Sequence, residues 1–352
     1  MNLKKSAIPY DPNAVGVKTN TIFGLPFSLD DAGLVIIPAP WDVTTSNLAG
    51  TSKGPENVFE QSFQIDLFDP LAPEAWKKGI AFDTSTLSLG KKNRELRKTA
   101  EAVINFLEEG KDAGDSALMK KKQQRINAAC DEMISSLQAK AKAYLDQGRL
   151  VLLLGGDHSV SLGLIRALAE KEQFGILQID AHADLRNAYQ GFTHSHASVM
   201  YNAVKLSGLT TLVQVGLREV CPEESDRIRN EKNRIIPYYD HELSRRLFHG
   251  ETWADICSDI AGHLPENVYI SFDVDGLEPS CCPGTGTPVP GGLSFNQAVF
   301  LLETLVRKGK RIVGADLVET GPTITDGIIS SRLLFRLAGM MIASNQTHEQ
   351  KK

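Results

Sequence analysis

An α/β fold, with a mainly parallel sheet of about eight strands between two helical layers, follows from three observations. Short runs rich in Val, Ile and Leu recur along the chain, most of them lack the polar alternation of a half-exposed strand, and helical patterns separate them. Strands buried on both faces and joined by helical crossovers have to run parallel. The runs fall at 34–38, 79–82, 150–154, 175–179, 211–216, 268–272 and 311–317, with a weaker one at 234–238. Helical periodicity is clearest at 162–171 and 295–308.

The stretch 91–147 differs from the rest. It is rich in Lys, Glu, Gln and Ala, with a Gly- and Asp-rich turn at 110–115, and reads as solvated helices inserted before the strand at 150. Nothing in it suggests chemistry. With no internal repeat and no long linker, the expectation is one domain over 1–352 carrying this charged helical insertion at about 91–147.

Composition excludes several classes. The chain has 352 residues, 42% hydrophobic and 23% charged, enough to bury a large core. A formal net charge of −5 lacks the basic footprint that phosphate backbones require, so no nucleic-acid partner is expected. The first residues hold two lysines without an apolar region behind them, and no apolar run approaches the ~18 residues that cross a bilayer, so a cytoplasmic protein without a membrane partner is expected. Five cysteines, odd in number and without a C-x-x-C pair, read as reduced thiols.

In a parallel sheet, ligands bind beyond the carboxyl ends of the strands. The unusual residues lie there: Asp157 and His158 after 150–154, Asp180, His182 and Asp184 after 175–179, Asp273 and Asp275 after 268–272, and Glu319 after the last strand. Carboxylates gathered in a half-buried crevice repel one another and lose hydration unless protonated or neutralised. Two divalent cations would neutralise four of them. Oxygen-rich ligation with some imidazole suits Mn2+ best, then Ni2+, Co2+ or Fe2+. A lone D-x-H-x-D could equally cap a helix, but four of the eight histidines fall between His158 and His196, among these carboxylates.

These residues stand in motifs: GGDHS at 155–159, DAHAD at 180–184, SFDVDGLEP at 271–279, PGTGTPVPGG at 283–292 and the early VIIPAPWDVTTSNLAGTSKGP at 35–55. Together they resemble the ureohydrolase superfamily of arginases, agmatinases, formiminoglutamases and guanidine hydrolases. The resemblance implies an arginase-like fold, a trimer or hexamer of identical chains, and hydrolysis of a small guanidino substrate to urea and an amine. By the same resemblance His158 and Asp184 bind one metal, His182 and Asp275 the other, and Asp180 and Asp273 bridge the two. Glu319 matches the acid that receives the guanidinium, a carboxylate being the complement of that planar fork. His196 matches the proton-shuttling histidine better than His194, and either His196 or Asp275 helps the amine leave.

The chain departs from the pattern at Glu278, where a supporting Asp is usual, at the Ala and Ser after His196, and at 320–327. The subgroup therefore stays open, from agmatine or arginine to guanidine itself. Arg186 resembles formiminoglutamases, whose product would be formamide, and beside a cationic substrate it disfavours an amine tail. His194, Arg186, Trp41 and Thr45 are candidates for substrate contact. Two other classes compete: a one-metal deacetylase of the same architecture, against which His158, Asp184 and Asp275 argue, and a non-catalytic subunit, against which the complete ligand set argues.

Overall fold

Eight strands, all parallel, form one sheet in a computed structural model that describes residues 10–13 and 16–349. They are β1 (Leu34–Ala39), β2 (Ile80–Phe82), β3 (Leu150–Gly155), β4 (Phe174–Ile179), β5 (Leu209–Leu217), β6 (Ile235–Tyr239), β7 (Asn267–Asp273) and β8 (Arg311–Val318). Their spatial order is β2-β1-β3-β8-β7-β4-β5-β6. Consecutive residues point to opposite faces, and both faces are apolar. In β1, Leu34 and Ile36 enter one core while Val35 and Ile37 enter the other, and β3 divides in the same way with Leu152 and Leu154 against Val151 and Leu153.

Among the described residues ten α-helices cover the sheet: α1 (Gly54–Gln61), α2 (Leu89–Glu108), α3 (Ala117–Leu145), α4 (Ser161–Ala169), α5 (Val199–Ala203), α6 (Pro222–Asn230), α7 (Asp240–Phe248), α8 (Trp253–Gly262), α9 (Phe295–Arg307) and α10 (Ile324–Glu349). Residues of α2 to α6 close one face, and residues of α1 and α7 to α10 close the other. Pro237 sits in β6, an edge strand, where a missing N–H is tolerated. The segment Ile324–His348 of α10 is long and apolar enough to cross a bilayer, contrary to the expectation from the sequence, yet 72% of its apolar window is buried against the rest of the chain. Packing accounts for it as a core helix.

The charged stretch 91–147 forms the pair α2 and α3. Leu96, Ala100, Val103 and Ile104 of α2 and Ile126, Met133, Ile134 and Leu137 of α3 are buried in the core beside β1 and β3. The pair is therefore a structural layer with one solvated side.

Candidate metal centre and substrate cleft

The four central strands β3, β8, β7 and β4 end side by side, and their carboxyl ends carry the cluster. After β3, Asp157 caps a short turn by accepting the Ser159 N–H at 3.1 Å, which brings His158 inward. After β4, Asp180 accepts the His182 N–H at 2.7 Å and the Gln178 amide N–H at 2.7 Å. Asp273 closes β7 and accepts the Asp275 N–H at 2.9 Å, while Asp275 accepts the Ala181 N–H at 3.0 Å. Each of these carboxylates is thus aimed by a backbone donor. Gly276 permits the close approach of the loops after β7 and β4, since a Cβ there would stand 2.6 Å from the Asp180 nitrogen.

Two groups that could hold a metal ion result, His158 with Asp180 and Asp273, and His182 with Asp180 and Asp275. Asp180 belongs to both. Nδ1 of His158 lies 3.1 Å from Asp180, 3.0 Å from Asp184 and 3.4 Å from Asp273, and Nδ1 of His182 lies 3.0 Å from Asp275 and 3.5 Å from Asp180. The other nitrogen of His158 meets Ser271 Oγ at 2.8 Å, and the Ser271 hydroxyl reaches the buried Asp316 carboxylate at 3.0 Å. That chain of bonds has Nε2 donate to Ser271 and turns Nδ1 toward three carboxylates, where it has no aligned hydrogen-bond partner. Four donors converging on one another are repulsive unless a cation stands among them, so the residues fit a metal.

The titration behaviour points the same way. Burial pulls the His158 imidazole down, but Asp180, Asp184 and Asp273 outweigh it and raise it well above the usual value. His182 is raised to about 12, burial again being overcome by Asp275 and Asp180. Burial and then Asp180 push Asp184 up to about 7, and burial with Asp275 and Asp180 raises Asp273 well above the carboxylate range. Asp180 falls below that range because the two imidazoles outweigh its burial. Protons gather where positive charge is needed.

Glu319 follows β8 with φ 61°, a left-handed conformation uncommon for a residue with a side chain. Its carboxylate accepts the His158 N–H at 2.9 Å, and burial, then Asp273 and Asp157, raise its pKa well above the usual value. Asp184 is left-handed as well, φ 54°. Such conformations concentrate at functional sites.

Beside the cluster opens a cleft of about 260 Å3 whose lining includes Ser46, His182, Asp184, Arg186, Tyr189 and His196. A larger hollow of about 730 Å3 near Lys53, Phe59, Phe82 and Arg94 contains none of these His and Asp residues, so size does not mark the site. His196 faces the cleft, and burial, then the two cationic imidazoles, lower it to about 3. His194 is absent from the lining and bonds to Asp131 of α3 at 2.7 Å. Arg186 reaches the lining, but its guanidinium stacks on Tyr189 at 4.9 Å and lies 3.9 Å from Glu224. Trp41 is wholly buried in the core beneath α2 and α3, and Thr45 is buried too; of that loop Ser46 reaches the cleft. Neither Trp41 nor Thr45 is among the lining residues, Trp41 because it packs into the core. Glu278 corrects the expectation of a supporting acid: its side chain is exposed, and its backbone N–H bonds to Leu293 at 2.9 Å.

Sequence reasoning missed the support behind the ligands. Asp316 holds Ser271, Tyr269 and the Phe272 N–H, and the Thr287 hydroxyl donates to Asp275 at 3.2 Å. A charged residue inside an otherwise apolar strand was the available signal for Asp316.

The Arginase family model matches residues 32–343. N(1)-aminopropylagmatine ureohydrolase from Synechocystis sp. is 30% identical over 318 residues, 89% of this chain and 90% of its own length. The enzyme of the same name from Thermus thermophilus is 32% identical over 295 residues, 83% of this chain and 84% of its own. In fold the chain is similar to the agmatine ureohydrolase of Thermoplasma volcanium, with a TM-score of 0.69 and 21% identity over 95% of this chain and 97% of that one. A match over most of the length, with relatives at this identity, means that the chain belongs to the arginase family, whose members hydrolyse guanidino compounds to urea and an amine with paired metal ions.

Proposed function

We propose that this chain hydrolyses an amine-bearing guanidino compound of the agmatine type, with Mn2+ as first choice of metal and Ni2+ second. The observation that carries the metal assignment is His158 Nδ1 facing three carboxylates without an aligned partner. His158 and Asp184 would hold one cation, His182 and Asp275 the other, with Asp180 and Asp273 shared. When bound, such a pair supplies Lewis acidity and makes water nucleophilic at neutral pH.

The residues of the chain do the rest. Glu319 accepts the guanidinium and turns its carbon toward the cluster. A water oxygen bonds to that carbon, the C–N bond to the tail breaks, and the leaving nitrogen takes a proton, giving urea and an amine. His196, at the cleft wall, carries that proton. Asp275 remains the second candidate for helping the amine leave.

For the tail, the charge of Arg186 is largely answered by Glu224 and by stacking on Tyr189, while Glu219 stands exposed at the rim. The wall is therefore acidic on balance and suits a cationic tail, as the names of the relatives also suggest. A carboxylate-bearing or formimino tail is the second reading, favoured by the guanidinium of Arg186 in the lining. We also take the chain as one domain, cytoplasmic, and assembled as a trimer or hexamer, by likeness to its family. The test is urea or formamide release from agmatine, N(1)-aminopropylagmatine, arginine, guanidinobutyrate, guanidine and formiminoglutamate, with Mn2+ and with Ni2+. Preference for a carboxylate-bearing substrate would overturn the tail assignment.

A further inference from the structure

The helices α2 and α3, a charged stretch without evident chemistry, grip both loops that flank the cleft. On α2, Asn93 exchanges bonds with Asp42, at 2.8 Å to its N–H and 2.7 Å to its carboxylate, and Arg97 donates to the Val43 carbonyl at 3.1 Å. These hold the loop that ends at Ser46. The α3 contacts are more regular. Gln123, Asn127 and Asp131, four residues apart, share one helix face. Gln123 donates to the Gln190 carbonyl at 2.9 Å; Asn127 donates to the Gly191 carbonyl at 3.0 Å and accepts the Thr193 N–H at 3.1 Å; Asp131 meets His194 at 2.7 Å.

What this stripe holds is a tight reversal. Tyr189 and Phe192 exchange both backbone bonds, at 3.1 and 2.9 Å, across Gln190 and Gly191, which have φ of 53° and 77°. Two consecutive left-handed residues define a type I′ turn, and Gln190 bears the cost of that conformation. A Cβ on Gly191 would collide with the Gln123 amide. Phe192 anchors the far side of the turn in the core. The near side presents Tyr189, whose ring stands edge-on to His196, centroids 6.0 Å apart at 83°, and lies beneath Arg186.

We propose that Gln123, Asn127 and Asp131 are positioning residues: by clamping the 189–192 turn to α3 they set Tyr189, and through it the orientation of His196 and Arg186 in the cleft. The catalytic part of this rests on the role given to His196 above. The clamp itself does not.

The experiment compares Asn127→Ala and Asp131→Asn with Gln124→Ala, an exposed position on the same helix. Alanine favours helix and the Asn variant keeps the shape of Asp131, so α3 is expected to persist. Amide hydrogen exchange over 186–196, bound metal, Tm and steady-state kinetics are measured on each. The expected result is lost protection over 186–196 and a fall in kcat of about tenfold or more, with metal content as in the wild type and Gln124→Ala unchanged. Unaltered exchange and kcat in both clamp variants would overturn the proposal, as would equal losses in Gln124→Ala. If wild-type protein released no urea from any substrate, the role of His196 would fall, while the exchange measurement, which needs no substrate, would still decide the clamp.

Discussion

Ser271→Ala removes one hydroxyl and leaves every proposed ligand in place. Ser271 is fully buried, with His158 Nε2 on one side at 2.8 Å and Asp316 on the other at 3.0 Å. Asp316 retains Tyr269 and the Phe272 N–H, so the loss falls on His158. A buried imidazole N–H without a partner costs about 1–3 kcal/mol, which at 1.4 kcal/mol per decade is roughly five- to 150-fold in an equilibrium constant. Support of this kind behind a ligating histidine is worth about 10–100-fold in metal affinity, and the two ranges overlap. The expectation is therefore Mn2+ affinity weaker by about 10–100-fold, with kcat at saturating Mn2+ within a few-fold of wild type. Competition with a chelator gives the affinity, and urea release against free Mn2+ gives both quantities. Unchanged affinity would refute the reasoning, because it would mean that Ser271 does not orient His158.

For Glu319→Gln the expectation is retained metal and a fall in kcat/KM of at least about tenfold, since a neutral amide gives up the charge-assisted pair with the guanidinium; kinetics equal to wild type would remove Glu319 from substrate binding. His196→Asn should keep both metals and lower kcat by roughly 10²–10⁴-fold. The same loss in His194→Asn alone would exchange their roles. The last prediction concerns pH and thermal stability. In metal-free protein burial pushes Asp157 and Asp184 up to about 7, so their contribution to stability is complete below the unfolded value near 4 and is lost as pH rises toward 7. His182, raised to about 12, adds to that loss, because its contribution is complete only below its unfolded value near 6.5 and declines as pH rises above it. Metal binds the deprotonated ligands, so the gain in Tm on adding Mn2+ should be larger at pH 8 than at pH 5. Calorimetry checks this, and a gain independent of pH would contradict it.

Local chemistry explains which features could be seen in the sequence. The strands were visible because both faces of the sheet are covered, which makes runs such as 150–154 continuously apolar. The clustered acids and histidines at strand ends were visible because that composition has few other uses. Strand order was not, since nothing in β3 or β4 announces that β7 and β8 lie between them. His194 and His196 have nearly the same neighbours in sequence, and Asp131, 63 positions from His194, separates their surroundings in space. Trp41 could be core or cleft until the fold of the loop after β1 was known. The reading of 91–147 as solvated helices left out their contacts for a related reason. Polar side chains such as Gln123 and Asn127 look solvated in a sequence, and their partners are backbone atoms of a distant loop.

The strand order also constrains biosynthesis. β3 and β4 emerge from the ribosome one after the other, yet in the finished sheet β8 and β7 separate them. Until the chain has been made through Val318, each of these strands keeps an open edge, and the histidines that follow them have none of the carboxylates supplied by β7. A nascent chain in this state exposes unpaired strands prone to association, and its late, long-range closure is slow. Capture of metal is then among the last events of folding, so an expression host that is short of chaperones or of the right cation would accumulate aggregate before it accumulated inactive enzyme.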